Sequence, residues 1–197
     1  MLLSAYPVNS AVRAARKECS FKPKIRGACF VTRRFGEKII LPAVALLTLV
    51  ADQISKYLVL SNLNPGHSWN PVASLTPWAS VTHVTNTGAA FGLFPDQGSL
   101  FVIIAVIVVA AIIFYYRHLP AGQWWIKVSL GLQLGGALGN LLDRLRLGYV
   151  IDFIDFKIWP VFNLADSAIV TGVAILAYYL LRDRGEKENG EHLMQES

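Results

Sequence analysis

Four long apolar segments constrain the fold of this chain more than any other feature of its sequence. They cover residues 39–60, 99–116, 124–142 and 162–181, and each approaches the ~20 residues that a helix needs to cross a bilayer. Only 16% of the residues are charged, against roughly 25% in soluble domains. We therefore predict an all-α membrane protein with four transmembrane helices.

The distribution of Lys and Arg predicts how these helices are oriented. Nine of the 18 basic residues lie between Arg13 and Lys38, ahead of the first segment, and residues 61–98 contain none. Cytoplasmic loops carry the excess of basic residues. Both termini are therefore expected in the cytoplasm, with outer loops at 61–98 and 143–161. Arg144, Arg146 and Lys157 depart from this rule in the second outer loop, which indicates a structural or binding role.

Composition divides the chain into three parts. Residues 1–37 form a basic cytoplasmic extension with turn-forming Pro and Gly, which we expect to be disordered. Residues 38–183 form the membrane domain, and 184–197 a polar cytoplasmic tail. In the first outer loop the alternating stretch Ser80 to Thr87 predicts a small β-containing segment on the extracytoplasmic side. Residues 149–156 predict either a strand or an interfacial turn.

Several functional classes are excluded by composition and motifs. The basic excess precedes a spanning segment and no nucleic-acid motif accompanies it, so nucleic acid is not an expected partner. The two cysteines form no disulfide framework, and the four histidines show no metal-ligand spacing, so a zinc site is not expected. No Ser–His or Cys–His arrangement has supporting context.

Ionisable side chains inside the apolar segments cost at least a few kcal/mol, which makes them candidates for function. Asp52 and Lys56 are four residues apart, in the order that favours an ion pair on one helical face. Asn140 and Arg144 likewise share a face of the third helix, where Asp143 is a candidate charge partner of Arg144.

The third segment also carries a stripe of small residues. Gly131, Gly135 and Gly139 recur at four-residue spacing. This pattern lets a neighbouring helix approach closely, so it predicts packing rather than catalysis.

Acidic side chains near the outer ends of the segments are the remaining candidates for chemistry. Asp152 lies between apolar residues, which should resist its ionisation, and Asp155 is a rival that spacing does not separate from it. Asn163 and Asp166 have the spacing of a helix capping box, so local signals alone favour a structural role for Asp166. Two carboxylates placed close together share a proton, activate water and protonate a leaving amine.

Five short motifs occur in an order that resembles the lipoprotein signal peptidases (signal peptidase II). They are DQISK (Asp52 to Lys56), NTGAAF (Asn86 to Phe91), GGALGNLLDR (Gly135 to Arg144), VIDF (Val150 to Phe153) and FNLAD (Phe162 to Asp166). The resemblance covers residues 38–183. It implies a catalytic dyad of Asp152 and Asp166, and so selects Asp152 over Asp155. The residues that it implies for substrate binding or dyad support are Asp52, Asn86, Gly88, Asn140, Arg144 and Asn163.

The resemblance also implies an activity. Members of the family are aspartic endopeptidases of the bacterial inner membrane that remove signal peptides from prolipoproteins, just before a cysteine that carries diacylglycerol. Their partners are lipidated substrates and membrane lipids, and they use no metal or organic cofactor. From the residues alone, a small transporter or channel and a non-catalytic scaffold remain as alternatives. Single-copy polar motifs argue against a transporter built from repeats.

Overall fold

The computed structural model describes residues 25–88, 98–119 and 122–195, with side chains described at 38–88, 98–119 and 122–182. The chain divides into two units, Met1–Lys38 and Ile39–Ser197, and all contacts below lie in the second. The described helices are α1 (Ile25–Asn62), α2 (Gly98–Tyr116), α3 (Trp124–Leu147) and α4 (Leu164–Gln195). The described strands are β1 (Ser68–Trp69), β2 (Ser80–Asn86) and β3 (Val150–Asp155), with a 3₁₀ turn at Ala73–Leu75.

Among the described residues, three helical stretches are long and apolar enough to cross a membrane. They are Lys38–Asn62, Gly98–Tyr116 and Leu164–Arg182. Within α2, all of which is described, Ile112 is the one buried residue, and apolar side chains are exposed around the rest of the helix. Such a segment forms a helix despite its many β-branched residues, because in lipid a backbone must satisfy its own hydrogen bonds.

Helix α3 lies at the centre of the packing and is not among those three stretches. Thirteen of its 24 residues are buried. The stripe Gly131, Gly135 and Gly139 lies against α1, where a Cβ at any of the three would meet atoms of residues 41–52. Gly136 lies against α4 in the same way. Close packing through the glycine stripe, as predicted, therefore fixes α3 between two neighbours.

Two helix boundaries near the outer loops differ from the prediction. Helix α3 continues to Leu147 instead of ending at residue 142, so Arg144 and Arg146 lie in its last turn and not in the loop. Gly148 ends the helix in a left-handed conformation (φ 83°), and its N–H donates to the Arg144 carbonyl at 3.1 Å. Basic residues are favourable at a helix C-terminus because of the helix dipole. Helix α4 begins at Leu164, two residues later than predicted.

The first and last helices extend beyond the predicted spans. Helix α1 begins at Ile25, within the predicted extension, and α4 continues to Gln195, within the predicted polar tail. Neither added stretch contains a proline, and Glu, Lys and Arg are good helix formers. Residues 1–24 lie outside the described residues.

A three-stranded antiparallel sheet with the order β1-β2-β3 connects the helices, and it confirms the small sheet predicted around Ser80 to Thr87. Strands β2 and β3 pair with Val84 opposite Asp152 and Ser80 opposite Asp155, with an irregularity between Val81 and Val84. The two acids are three residues apart on one strand, so their side chains point to opposite faces of the sheet.

Candidate active site

Strand β3 carries Asp152 into the protein interior, where it is 2% exposed. Asn86 lies two residues beyond Val84, on the same face of β2, and its Nδ2 donates to Asp152 Oδ2 at 2.8 Å. Asn163 Nδ2 donates to Oδ1 of Asp152 at 2.7 Å. Burial raises the pKa of Asp152 to about 6; the Asn86 hydrogen bond opposes the rise, and the negative charge of Asp166 adds to it.

Asp166 lies in the first turn of α4 and forms a reciprocal capping box with Asn163. The Asp166 N–H donates to Asn163 Oδ1 at 2.9 Å, and the Asn163 N–H donates to Asp166 Oδ2 at 3.3 Å. Its other oxygen, Oδ1, accepts a hydrogen bond from Asn140 Nδ2 at 2.7 Å. The capping geometry predicted from sequence is therefore present, and it also aims the Asp166 carboxylate at α3.

Asn163 and Asn140 link the two carboxylates into one network. Asn163 Nδ2 donates to Asp152 and also to Asn140 Oδ1, at 3.1 Å, while Asn140 donates onward to Asp166. Asn163 is completely buried. The two amide side chains therefore form a hydrogen-bonded chain from Asp152 through Asn163 and Asn140 to Asp166.

The two carboxylates line one cavity of about 690 Å³. Six residues predicted for the site line it, together with the polar residues Ser167 and Thr171; the six are Asn86, Gly88, Asn140, Arg144, Asp152 and Asp166. Its remaining wall is mainly apolar and includes Phe101, Phe156, Trp159 and Val170. Among the described residues, no group of three or more His, Cys, Asp or Glu side chains is arranged to hold a metal ion.

A buried ion cluster lies behind the carboxylates. Lys56 Nζ is 2.8 Å from Asp52 Oδ2 and 2.8 Å from Asp143 Oδ2. Asp52 Oδ1 accepts the N–H of Ala165 at 2.9 Å, which joins α1 to the first turn of α4. The predicted Asp52–Lys56 pair is thus present. The expectation that Asp143 pairs with Arg144 was wrong: among the described ion pairs, its partner is Lys56, because both side chains face the helix interface.

Arg144 lies beside the dyad network with unused hydrogen-bonding capacity. Its Nη1 donates to the Asn140 carbonyl at 3.4 Å, and its guanidinium carbon lies 5.2 Å from the centroid of the Phe101 ring. Its Nε is buried and has no hydrogen-bond partner within the described part of the chain. A buried N–H that lacks a partner is costly, so this donor is suited to a substrate acceptor in the cavity.

Asp155, the rival of Asp152, is held in a different environment. Its Oδ2 accepts hydrogen bonds from Thr82 Oγ1 at 2.8 Å and Ser80 Oγ at 3.3 Å, and an ion pair with Lys157 at 2.7 Å. Burial acts to raise the pKa of Asp155, but the bonds from Lys157 and Thr82 outweigh it and hold that pKa at about 2. Lys157 adopts a positive φ of 62°, in a tight turn closed by the Ile158 N–H on the Phe156 carbonyl at 2.7 Å.

All eight residues predicted for the site fall in or directly behind this network. Asp52 and Asn163 do not line the cavity; they support the residues that do. Sequence reasoning did not identify the apolar wall, since aromatic residues in loops carry no spacing signal. It also missed the contact between Lys56 and Asn140, although a buried charge inside a span marked Lys56 as unusual. In the NTGAAF motif, residues 89–91 lie outside the described residues.

Comparison with known proteins identifies the family. The family described as Signal peptidase (SPase) II matches residues 44–182. The lipoprotein signal peptidase of Moorella thermoacetica is 50% identical over 144 residues, covering 73% of this chain and 94% of the relative. That of Halothermothrix orenii is 44% identical over 137 residues, covering 70% and 92%.

Solved structures agree with this assignment. A bacterial membrane enzyme solved by the in meso method at 2.3 Å resolution superposes with a TM-score of 0.69 at 31% identity, covering 77% of this chain and 92% of that one. A second, solved at 1.9 Å, gives a TM-score of 0.65 at 31% identity, with 75% and 94% covered. On the strength of these matches, the chain belongs to the signal peptidase II family and is a membrane peptidase of the aspartic type.

Proposed function

We propose that this chain removes signal peptides from diacylglyceryl-modified bacterial prolipoproteins, cutting just before the modified cysteine, with Asp152 and Asp166 as its catalytic dyad. One observation carries the proposal: the two carboxylates line the same cavity and are joined through Asn163 and Asn140. Relatives named lipoprotein signal peptidase support the substrate class.

The dyad works with a single shared proton. The charged carboxylate takes a proton from a water molecule as the oxygen of that water attacks the scissile carbonyl carbon. The protonated carboxyl donates a hydrogen bond to the carbonyl oxygen, where negative charge develops. The carbon–nitrogen bond then breaks, and a proton passes to the leaving amine. In a dyad of this kind the proton belongs to the pair and not to one residue. The pKa of about 6 at Asp152 keeps this singly protonated state accessible near neutral pH.

Arg144 and Gly88 complete the polar side of the cavity. In this proposal the Nε of Arg144, which has no partner among the described residues, donates to a backbone carbonyl of the substrate and holds the scissile bond beside the dyad. Gly88 donates its N–H to Asn86 Oδ1 at 3.0 Å and so fixes the amide that contacts Asp152. Correct placement of reactants of this kind contributes several kcal/mol to catalysis.

The apolar wall of the cavity receives the lipid-bearing part of the substrate. Phe101 lies on α2, Trp159 precedes α4, and Val170 lies within the span of α4. The wall therefore continues from the loop down along two membrane helices. An acyl chain anchored in the bilayer reaches this surface without leaving an apolar environment. It therefore avoids the cost of exposing CH₂ groups to water, which is about 0.8 kcal/mol for each group.

All four helices cross the bacterial inner membrane, with both termini in the cytoplasm and the dyad near the outer face. Helix α3 is less apolar than the spanning stretches of the other three helices, and its polar residues, including Ser129, Asn140 and Asp143, are buried against α1 and α4 rather than facing lipid. Basic residues before α1 and after α4 support this orientation.

The proposal is tested by cleavage of two forms of one precursor in liposomes. The purified protein should cut the diacylglyceryl-modified precursor before its cysteine and leave the unmodified precursor intact. Equal cleavage of both forms would reject lipid recognition but not peptidase activity. Absence of cleavage from both, with a correctly inserted protein, would reject the proposed function.

A further inference from the structure

Lys56 makes a third contact that the proposed chemistry does not use. This lysine is 2% exposed, and besides Asp52 and Asp143 its Nζ donates to Asn140 Oδ1 at 2.9 Å. An ammonium group has three N–H donors and no acceptor. All three of its N–H donors therefore have a partner, and one of them donates to the Asn140 amide, which contacts Asp166.

The direction of each amide around the dyad matters, because a reversed amide exchanges a donor for an acceptor. A neighbour that can only donate settles that direction. The Gly88 N–H fixes the oxygen of Asn86 at 3.0 Å, and the Asp166 N–H fixes the oxygen of Asn163 at 2.9 Å. Both of these fixing groups belong to the backbone.

Asn140 is fixed by side chains instead. Its Oδ1 receives the Lys56 ammonium at 2.9 Å and the Asn163 amide at 3.1 Å, which leaves its Nδ2 to donate to Asp166. The bond from Lys56 is shorter and charge-assisted, and bonds of that kind are roughly twice as strong as neutral ones. Lys56 therefore does most to orient this amide.

We propose that Lys56 is a positioning residue that holds the Asn140 amide with its NH₂ group towards the Asp166 carboxylate. The inference rests on the proposed dyad and deepens it. A reversed Asn140 would present its oxygen to Asp166. That arrangement repels an ionised carboxylate and suits a protonated one, so loss of Lys56 favours protonation of the dyad.

Other charges around the dyad act in known directions. Arg144 faces both Asp152 and Asp166, and Asp52 and Asp143 surround Lys56. The positive charge of Lys56 also acts to lower the pKa of Asp152. Removing this charge and releasing the amide therefore work together, and both limbs of the pH–activity profile should move to higher pH.

The test compares two variants with the native enzyme in the cleavage assay. Lys56→Met combined with Asp143→Asn keeps the formal charge of the Lys56, Asp52 and Asp143 cluster, and Asp143→Asn alone is its matched control. In the double variant we expect both limbs of the pH–activity profile to lie about 0.5 pH unit or more above those of the native enzyme. We expect kcat to be about tenfold lower than the native value and KM to stay within about twofold of it. In the control, which retains Lys56, neither limb should move to higher pH.

Each outcome decides the point. If the pH–activity profile of the double variant coincides with that of the control, Lys56 is merely structural and the inference is overturned. If the double variant inserts poorly, Lys56→Gln combined with Asp143→Asn replaces it and keeps the same formal charge. The glutamine side chain can accept as well as donate, so the same upward shift is expected, and limbs at the native pH would overturn the inference. A native enzyme that cleaves neither precursor would count against the proposed function instead.

Discussion

Asn163 and Asp166 form a reciprocal capping box, in which the backbone N–H of each residue donates to a side-chain oxygen of the other, at 3.3 and 2.9 Å. The box starts α4 and orients the Asp166 carboxylate. The amide NH₂ of the same Asn163 donates to Asp152. One side chain therefore serves both the helix and the dyad, and the two roles can be separated by substitution.

Asn163→Ser keeps a good helix cap but removes the amide donors to Asp152 and Asn140. Asn163→Ala removes the cap as well. We expect both variants to lose cleavage by about 100-fold or more, because the dyad is no longer held. Asn163→Ala should be less stable than Asn163→Ser by about 1 kcal/mol, measured by thermal unfolding in detergent. Near-native cleavage by Asn163→Ser would show that the helix cap alone is enough to hold the dyad and that the amide donors of Asn163 are not needed.

Gly139→Ala should disrupt the cluster behind the dyad. A Cβ at this position would collide with the carboxylate of Asp52, which holds Lys56 and the N–H of Ala165. We expect a stability loss of about 1–3 kcal/mol from overpacking, with cleavage strongly reduced. Gly98→Ala is the matched control, since among the described residues its Cβ meets nothing closer than 3.6 Å. Equal behaviour of the two variants would contradict the packing described for α3.

The stability of the protein should depend on pH through Asp152. Its pKa in the folded protein is raised from 3.8 to about 6, so its stabilising contribution is complete below pH 3.8 and is lost as the pH rises through 6. Relative to Asp152→Asn, the native protein should therefore lose about 2–3 kcal/mol between pH 4 and pH 8. Melting temperatures of the two proteins across this range provide the measurement. Parallel curves of melting temperature against pH would mean that ionisation of Asp152 does not destabilise the folded protein.

Trp159→Ser should weaken substrate binding without slowing the chemical step. Trp159 lies in the apolar wall of the cavity. We expect KM for the lipidated precursor to rise about tenfold, the effect of losing roughly 1.4 kcal/mol of apolar contact, with kcat nearly unchanged. Trp69→Ser, at a similarly exposed residue on β1 that does not line the cavity, is the control. Equal effects from both would place lipid binding elsewhere.

The sequence predicted the helices well because apolar length is a local property. Three predicted segments correspond to helices long and apolar enough to span a membrane, and the sheet around β2 also follows from local alternation. The end of α3 was placed too early, because Asp143 and Arg144 read as the beginning of a loop. In the structure Asp143 is buried against Lys56, and tertiary pairing of that kind leaves no local signal.

The site was harder to predict from the residues themselves. Spacing along the chain did not show which of Asp152 and Asp155 belongs to the site. Their separation of three residues does place them on opposite faces of a strand, but the face that meets α4 is decided by β2 and the first turn of that helix. Local signals at Asp166 favoured a cap, and the cap is present. What they could not reveal is that its carboxylate also joins a network with Asp152, because the link runs through Asn140 on another helix.

The central claim is that Asp152 and Asp166, and not Asp155, perform the hydrolysis. The most direct measurement is the cleavage rate of a diacylglyceryl-modified precursor by Asp152→Asn, Asp166→Asn and Asp155→Asn, each purified and shown to be inserted. We expect the first two to fall by about 10⁴-fold or more, since each lacks one of the groups that handle the proton. Asp155→Asn should keep cleavage within about threefold of native and lose roughly 1 kcal/mol of stability, as expected for a partly exposed ion pair. Substantial cleavage by Asp152→Asn or Asp166→Asn, or its loss in Asp155→Asn, would contradict the assignment.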